Sequence, residues 1–328
     1  MKTRPFGTTG INVSELVFGC GMVGGLMIEQ DDSTRRRAVD IALQAGINWF
    51  DTAASYGQGK SEQALGWLLA ERSESVHVST KFSIDTRNLS DLSGQIEESL
   101  TASLGRLQRE SVTLLQLHNQ IAATTNGRAL AANEVLKTGG VLDVLENLKA
   151  QGLIEHYGIT ALGEPGSVIQ VIESGRIASA QVYFNLLNPS AGRAVPPSWP
   201  VFDFGGVLAA CERCGVAAMN IRVFSAGVIA TDARKGREQP LTPGDTVDSE
   251  TEKAHALFEV LGDRHGTRAQ TAIRFALAEP RFACVVFGLA ELDHLQEALA
   301  AAEQGTLGED DLQAIWSIYD STTDGPFA

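Results

Sequence analysis

Apolar residues recur along this chain in two alternating rhythms. Short β-branched or apolar runs occupy residues 15–19, 47–51, 76–82, 112–118, 154–160, 180–185, 216–224 and 283–287. Between them lie stretches with apolar positions three or four apart, which predict helices over 31–45, 61–70, 91–107, 141–149, 166–173, 205–214, 250–264, 268–277 and 292–302. Gly46, Gly152, Gly175 and Gly215 follow helical stretches and act as stops. Strands that alternate with helices make a parallel sheet, and near-continuous apolar runs suit a sheet covered on both faces. Eight such units predict a closed (β/α)8 TIM barrel. Ahead of the first unit, Gly7, Thr8, Thr9 and Gly10 separate two short strand-like pieces and predict an N-terminal β-hairpin.

No linker or shift in composition interrupts the pattern, so residues 1–328 are expected to form a single barrel domain. The long irregular pieces, 119–137, 188–203 and 226–249, all follow strands and should line the mouth at the strands' C-terminal ends. Hydrophobic content of 44% with 20% charged residues is ordinary for a globular chain. The net charge of -14 repels nucleic acid and anionic membranes. The N-terminus has no apolar signal core, and the apolar stretch 18–28 is too short to span a bilayer, so a cytoplasmic protein is expected. Cys211 and Cys214 form an isolated C-x-x-C on a predicted helix and read as structural.

The candidate chemistry lies at three successive strand ends. The second run ends on Asp51, with Tyr56 five residues on; the third carries Lys81; the fourth ends on His118. Singly, each has a structural explanation: a turn cap, a packed ring, a solvated terminus. Jointly, at one barrel mouth, they make a proton-transfer site. An ammonium beside a phenol favours the phenolate, and Asp51 could hold Lys81 in place. His118 offers an N–H to a substrate oxygen. Such a set protonates a carbonyl as hydride arrives, or works in reverse, and hydride requires a cofactor. A glycosidase needs two opposed carboxylates and a metal site needs converging ligands, and neither pattern is present. Arg222 admits two readings, contact with a phosphate or carboxylate and an ion pair with a loop acid, and the ion pair is favoured. Trp199 could wall the pocket or anchor its loop.

Read together, these segments resemble the aldo-keto reductase family over nearly the whole chain. The carriers are Phe50, Asp51, Thr52 and Ala53 with Tyr56, Gly57, Ser61 and Glu62; Ser79, Thr80 and Lys81; Gly105, Arg106 and Leu107 with 114–119; and 181–185. The resemblance implies a nicotinamide dinucleotide bound in extended form and a tetrad of Asp51, Tyr56, Lys81 and His118, with Tyr56 as general acid or base. It implies that Thr160 and Gln181 contact the carboxamide and that Phe224 stacks on the nicotinamide. Ser225 to Gly227 would lie along the pyrophosphate, and Gly21 and Met22 beside the nicotinamide ribose. Gly288, His294 and Glu297 would hold the adenosine end. Segments 18–26 and 224–230 resemble the bacterial aldose 1-dehydrogenase and pyridoxal 4-dehydrogenase branch, which oxidises cyclic hemiacetals.

Two departures stand out. Ala161 takes the place of a carboxamide-binding asparagine. Residues 287–297 hold no Lys or Arg but do hold Glu291 and Asp293, so a 2′-phosphate would lack a cation there; NAD is expected over NADP, with NADP still possible. The expected ligand is a small carbonyl, aldose or cyclic hemiacetal. The alternative is a cofactor-binding regulatory barrel that acts through a protein partner. Substrate, direction and oligomeric state are not encoded in any motif here.

Overall fold

The computed structural model describes residues 1–196, 201–240 and 244–320; Trp199 lies outside them. In chain order, β1 (Thr3–Pro5) and β2 (Asn12–Ser14) form the antiparallel hairpin. The barrel begins with β3 (Leu16–Gly19), then α1 (Leu26–Glu29), α2 (Asp32–Gln44), β4 (Trp49–Asp51), α3 (Lys60–Ala70), β5 (His77–Phe82), α4 (Leu92–Leu107) and β6 (Val112–Leu117). After it come the small pair β7 (Gln120–Ala122) and β8 (Ala129–Ala131), then α5 (Ala132–Leu136), α6 (Val141–Ala150), β9 (Ile154–Thr160) and α7 (Pro165–Glu173). The chain continues through β10 (Ser179–Tyr183), α8 (Val207–Cys214), β11 (Ala217–Ile221), α9 (Val247–Leu261), α10 (Arg268–Ala278), β12 (Phe282–Gly288), α11 (Leu292–Gln304) and α12 (Glu309–Asp320).

The eight predicted runs close in the order β10-β11-β12-β3-β4-β5-β6-β9, with every barrel pairing parallel. Close approach is built in with glycine where it is needed: a Cβ at Gly158 on β9 would run into the Ser179 carbonyl of β10. Phe6 and Val13, from the hairpin and its turn, pack with Val17, Trp49, Leu114, Ala217 and Met219 in a cluster distinct from the main core. The Phe6 and Trp49 ring centroids are 4.6 Å apart. This apolar plug fills one end of the barrel and leaves the C-terminal ends of the strands for chemistry. The main core lies between sheet and helices.

Several boundaries differ from expectation, each for a local reason. The run predicted through Phe224 ends at Ile221, because Arg222 adopts a left-handed conformation (φ 63°) that breaks the strand. The helix expected over 250–264 starts a turn earlier, set by a reciprocal capping box between Thr246 and Ser249, and stops at Gly262 (φ 64°). The piece 119–137, expected to be irregular, holds β7, β8 and α5, whose three- to five-residue lengths are too short to show a rhythm. The final helix, α12, buries Ile315, Ile318 and Tyr319 and was not expected. Cys211 and Cys214 lie on α8, which ends at Gly215 as predicted. No helix among the described residues is long and apolar enough to cross a membrane.

Candidate functional site

Asp51 ends β4 and is buried. Its carboxylate accepts three side-chain hydrogen bonds: Lys81 Nζ at 2.6 Å, Ser79 Oγ at 2.6 Å and Gln181 Nε2 at 2.9 Å. Residues two apart on one strand share a face, so β5 presents Ser79 and Lys81 together. Trp49 Nε1 donates to Ser79 Oγ at 2.9 Å and ties the plugged end of the barrel to the acid. Lys81 Nζ also donates to the Thr52 carbonyl at 2.7 Å. Burial works against the Lys81 charge, but Asp51 and then Tyr56 more than offset it, and the ammonium keeps its proton above the ordinary lysine range.

The loop after β4 brings Tyr56 over this pair, with Lys81 Nζ 5.0 Å from the ring centroid. Tyr56 and His118 meet edge to face, with centroids 5.8 Å apart at 80°. The loop is pinned on both sides. Ser61 Oγ donates to the Cys20 carbonyl at 3.0 Å and lies 2.8 Å from Thr52 Oγ1. Glu62, fully buried, pairs with Arg106 Nε at 2.7 Å and accepts from Thr80 Oγ1, next to Lys81. Burial first, then the positive charges of Lys81 and Arg222, lower the His118 pKa to about 3. At neutral pH the ring is therefore a neutral hydrogen-bonding group and carries no charge.

Asp51, Tyr56, Lys81 and His118 thus converge at one mouth. Gln181 reaches the same cluster from β10, while Thr160 Oγ1 donates to the Leu117 carbonyl at 3.1 Å. Met22 is 42% exposed beside β3, and Phe224 is half-buried three residues beyond β11. A Cβ built at Gly21, Gly227 or Gly288 meets no protein atom within 4 Å. The three glycines follow or end neighbouring strands β3, β11 and β12, and each borders open space. His294 Nδ1 accepts from the Ala290 N–H at 3.3 Å, and Glu297 accepts from Thr267, the cap of α10.

Two charge expectations are corrected. Among the described residues Arg222 makes no ion pair; its Nη1 donates to the Gln239 carbonyl at 2.9 Å. The eighth-strand loop does receive a cation: Lys235, from the loop after β11, places Nζ 2.6 Å from Glu291 Oε1. Chain distance hid this pair. Ser79 as a partner of Asp51, with Trp49 behind it, is a further part of the site, and the same-face spacing of Ser79 with Lys81 and of Trp49 with Asp51 is the sequence signal for it. No cluster of three or more His, Cys, Asp or Glu side chains among the described residues is placed to hold a metal.

A closed parallel barrel thus carries a buried acid–ammonium pair beneath a tyrosine at the strands' C-terminal ends. Over residues 15–320 the sequence matches the aldo/keto reductase family, and the chain belongs to it. It is 24% identical to the uncharacterized oxidoreductase YqkF of Bacillus subtilis, across 97% of this chain and 96% of that protein. It is 22% identical to pyridoxal 4-dehydrogenase of Microbacterium luteolum, across 92% of this chain and 93% of that one. The holo form of aldo-keto reductase AKR11C1 from Bacillus halodurans superposes with a TM-score of 0.72 at 24% identity, covering 97% of this chain and 96% of that one, and this likeness shows the fold.

Proposed function

We propose that the protein is an NAD(P)-dependent oxidoreductase that moves hydride between a nicotinamide cofactor and a small carbonyl, aldose or cyclic hemiacetal, with Tyr56 as general acid and base. The carrying observation is the buried Lys81 ammonium, held by Asp51 at 2.6 Å and lying 5.0 Å from the Tyr56 ring centroid. A fixed cation beside the phenol stabilises the negative charge that develops on its oxygen as the proton leaves. Tyr56 takes the substrate hydroxyl proton in oxidation and returns it in reduction. Neutral His118 donates a hydrogen bond to the substrate oxygen and orients it. Gln181 would hold the nicotinamide carboxamide: Asp51 takes its Nε2 at 2.9 Å, which leaves its carbonyl oxygen as an acceptor. The nicotinamide supplies or accepts the hydride when bound. Open space at Gly21, Gly227 and Gly288 supports a path for the rest of the dinucleotide past these three positions.

NAD is the favoured cofactor. Lys235 is paired with Glu291, so a 2′-phosphate has to compete with that carboxylate for it. The substrate class draws support from the relative named pyridoxal 4-dehydrogenase. The test is a nucleotide-fluorescence and turnover screen of aldoses, aldehydes and pyridoxal with NAD and NADP, repeated with Tyr56→Phe. The variant should bind cofactor as the parent does and lose turnover by about 10²–10⁴. Unchanged turnover removes Tyr56 from the mechanism.

A further inference from the structure

The kink that follows β11 holds three non-glycine residues in left-handed backbone within five positions: Arg222 (φ 63°), Ser225 (φ 43°) and Ala226 (φ 59°). Such backbone persists only where its surroundings over-determine it. Asn185 Nδ2 and the Ser225 N–H both donate to the Arg222 carbonyl at 2.8 Å. A carboxylate adds side-chain support. Glu250, in the first turn of α9 and 3% exposed, accepts from Ser225 Oγ at 2.9 Å. Tyr183 Oη lies 3.3 Å from the same serine oxygen. Nothing in the proton transfer at Tyr56 uses this buried acid.

A serine hydroxyl has one proton to donate. With Glu250 ionised, that proton goes to the carboxylate and Tyr183 donates to Ser225. With Glu250 protonated, the carboxyl O–H donates to Ser225 Oγ, and the serine proton can turn to an acceptor on the open side of the kink, where Gly227 borders empty space. A diphosphate lying over this kink gains a donor and loses a like charge only in the second state.

We propose that Glu250 is a positioning residue that couples the binding of an anionic diphosphate over Ser225 to Gly227 with the uptake of one proton; the inference rests on the dinucleotide reading above. Facing Glu250 are Ser225, Tyr183 and Arg222 from the barrel side, and Asp245 and Lys253 from its own segment. Lys253 Nζ is bound to both Asp245 oxygens at 3.0 and 3.1 Å. Burial first, and Asp245 after it, hold the Glu250 carboxyl above the usual range against the pull of Ser225, Lys253 and Arg222. An added anion pushes the same way, so binding and protonation reinforce each other.

The test titrates NAD, whose diphosphate keeps its charge throughout, into the full-length protein from about pH 5 to pH 9 by calorimetry. His118, held near 3, does not titrate there. The wild-type Kd should rise by up to about tenfold per pH unit between the free and bound pKa of Glu250. Titrations in two buffers of different protonation enthalpy should show net proton uptake. Glu250→Gln, whose amide donates to Ser225 at every pH, should bind as tightly as the wild type does in acid and lose the slope. A wild-type Kd that is flat with no proton uptake, or a Glu250→Gln variant that keeps the wild-type slope, overturns the coupling. If the variant fails to fold, the wild-type profile and proton count decide alone. Failure of the wild type to bind NAD or NADP at any pH overturns the cofactor reading and this inference with it.

Discussion

Asp51 and Lys81 are joined at 2.6 Å with their side chains 5% and 1% exposed. A pair this close and this dry is costly to break from one side, about 3–5 kcal/mol, because the survivor is a buried unpaired charge. Asp51 keeps Ser79 and Gln181 as donors when Lys81 is lost, whereas Lys81 without Asp51 loses its one carboxylate and keeps neutral acceptors such as the Thr52 carbonyl. Asp51→Asn should therefore destabilise the fold more than Lys81→Met, while Lys81→Met should lose more turnover, by about 10²–10⁴, since it removes the cation beside Tyr56. Urea unfolding and steady-state kinetics check both. The Lys81 pKa is raised in the fold, so its contribution to stability is complete below the ordinary value of 10.5 and is lost as pH climbs through the raised value. Alkaline unfolding should thus begin at higher pH in the wild type than in Asp51→Asn.

His118 moves stability in acid. Its folded pKa of about 3 lies below the ordinary 6.5, so the unfolded chain binds a proton that the folded chain refuses. Stability from this group is complete above 6.5 and falls with pH at about 1.4 kcal/mol per unit toward the folded value. His118→Asn removes the titration and keeps a hydrogen-bonding side chain. Between neutral pH and pH 5 the wild type should lose about 2 kcal/mol more than the variant. Denaturant unfolding at the two pH values measures it, and parallel losses would show that the ring is protonated in the fold.

Ser79 is expected to act through Asp51. It accepts from Trp49 Nε1 at 2.9 Å and donates to Asp51 Oδ1 at 2.6 Å, all three being buried. Ser79→Ala strands an indole N–H and removes one of the three donors on the acid, at a cost of about 1–3 kcal/mol in stability. Turnover should fall by about tenfold with cofactor Kd unchanged, and Ser79→Thr, which keeps the hydroxyl, should restore it. Loss of stability with full turnover would leave Ser79 as scaffold alone.

How far the sequence reveals all this depends on distance along the chain. The eight barrel strands and the Asp51, Tyr56, Lys81 and His118 set are legible because each group sits at a fixed place in a repeating unit, and closing the repeat brings those places together. The hairpin is legible for the same local reason, its Gly-rich turn. Arg222 illustrates the limit: Val223 and Phe224 carry the mostly apolar run past it and hide the left-handed residue that ends β11, and a cation near loop acids suggests an ion pair where it instead meets the Gln239 carbonyl. Glu250 and Lys235 were equally invisible. Each meets its partner, Ser225 or Glu291, across an irregular loop whose path no periodicity records.

Lys235 and Glu291 supply the sharpest test of cofactor choice. Their side chains are 40% and 52% exposed, so the 2.6 Å pair is weak in itself and easily exchanged for another partner. The Lys235 ammonium lowers the Glu291 pKa, which keeps that carboxylate ionised and opposed to any phosphate nearby. Glu291→Gln removes the competing charge and frees Lys235. NADP should then bind about tenfold tighter, because a dianion meets a cation that no carboxylate holds, while NAD affinity stays within about twofold. Adding Lys235→Ala to Glu291→Gln should erase the gain. Fluorescence titration of the parent, single and double variants with both dinucleotides reads the whole cycle. An equal improvement for NAD and NADP in Glu291→Gln would mean that the carboxylate repels the shared diphosphate and that the 2′ position lies elsewhere.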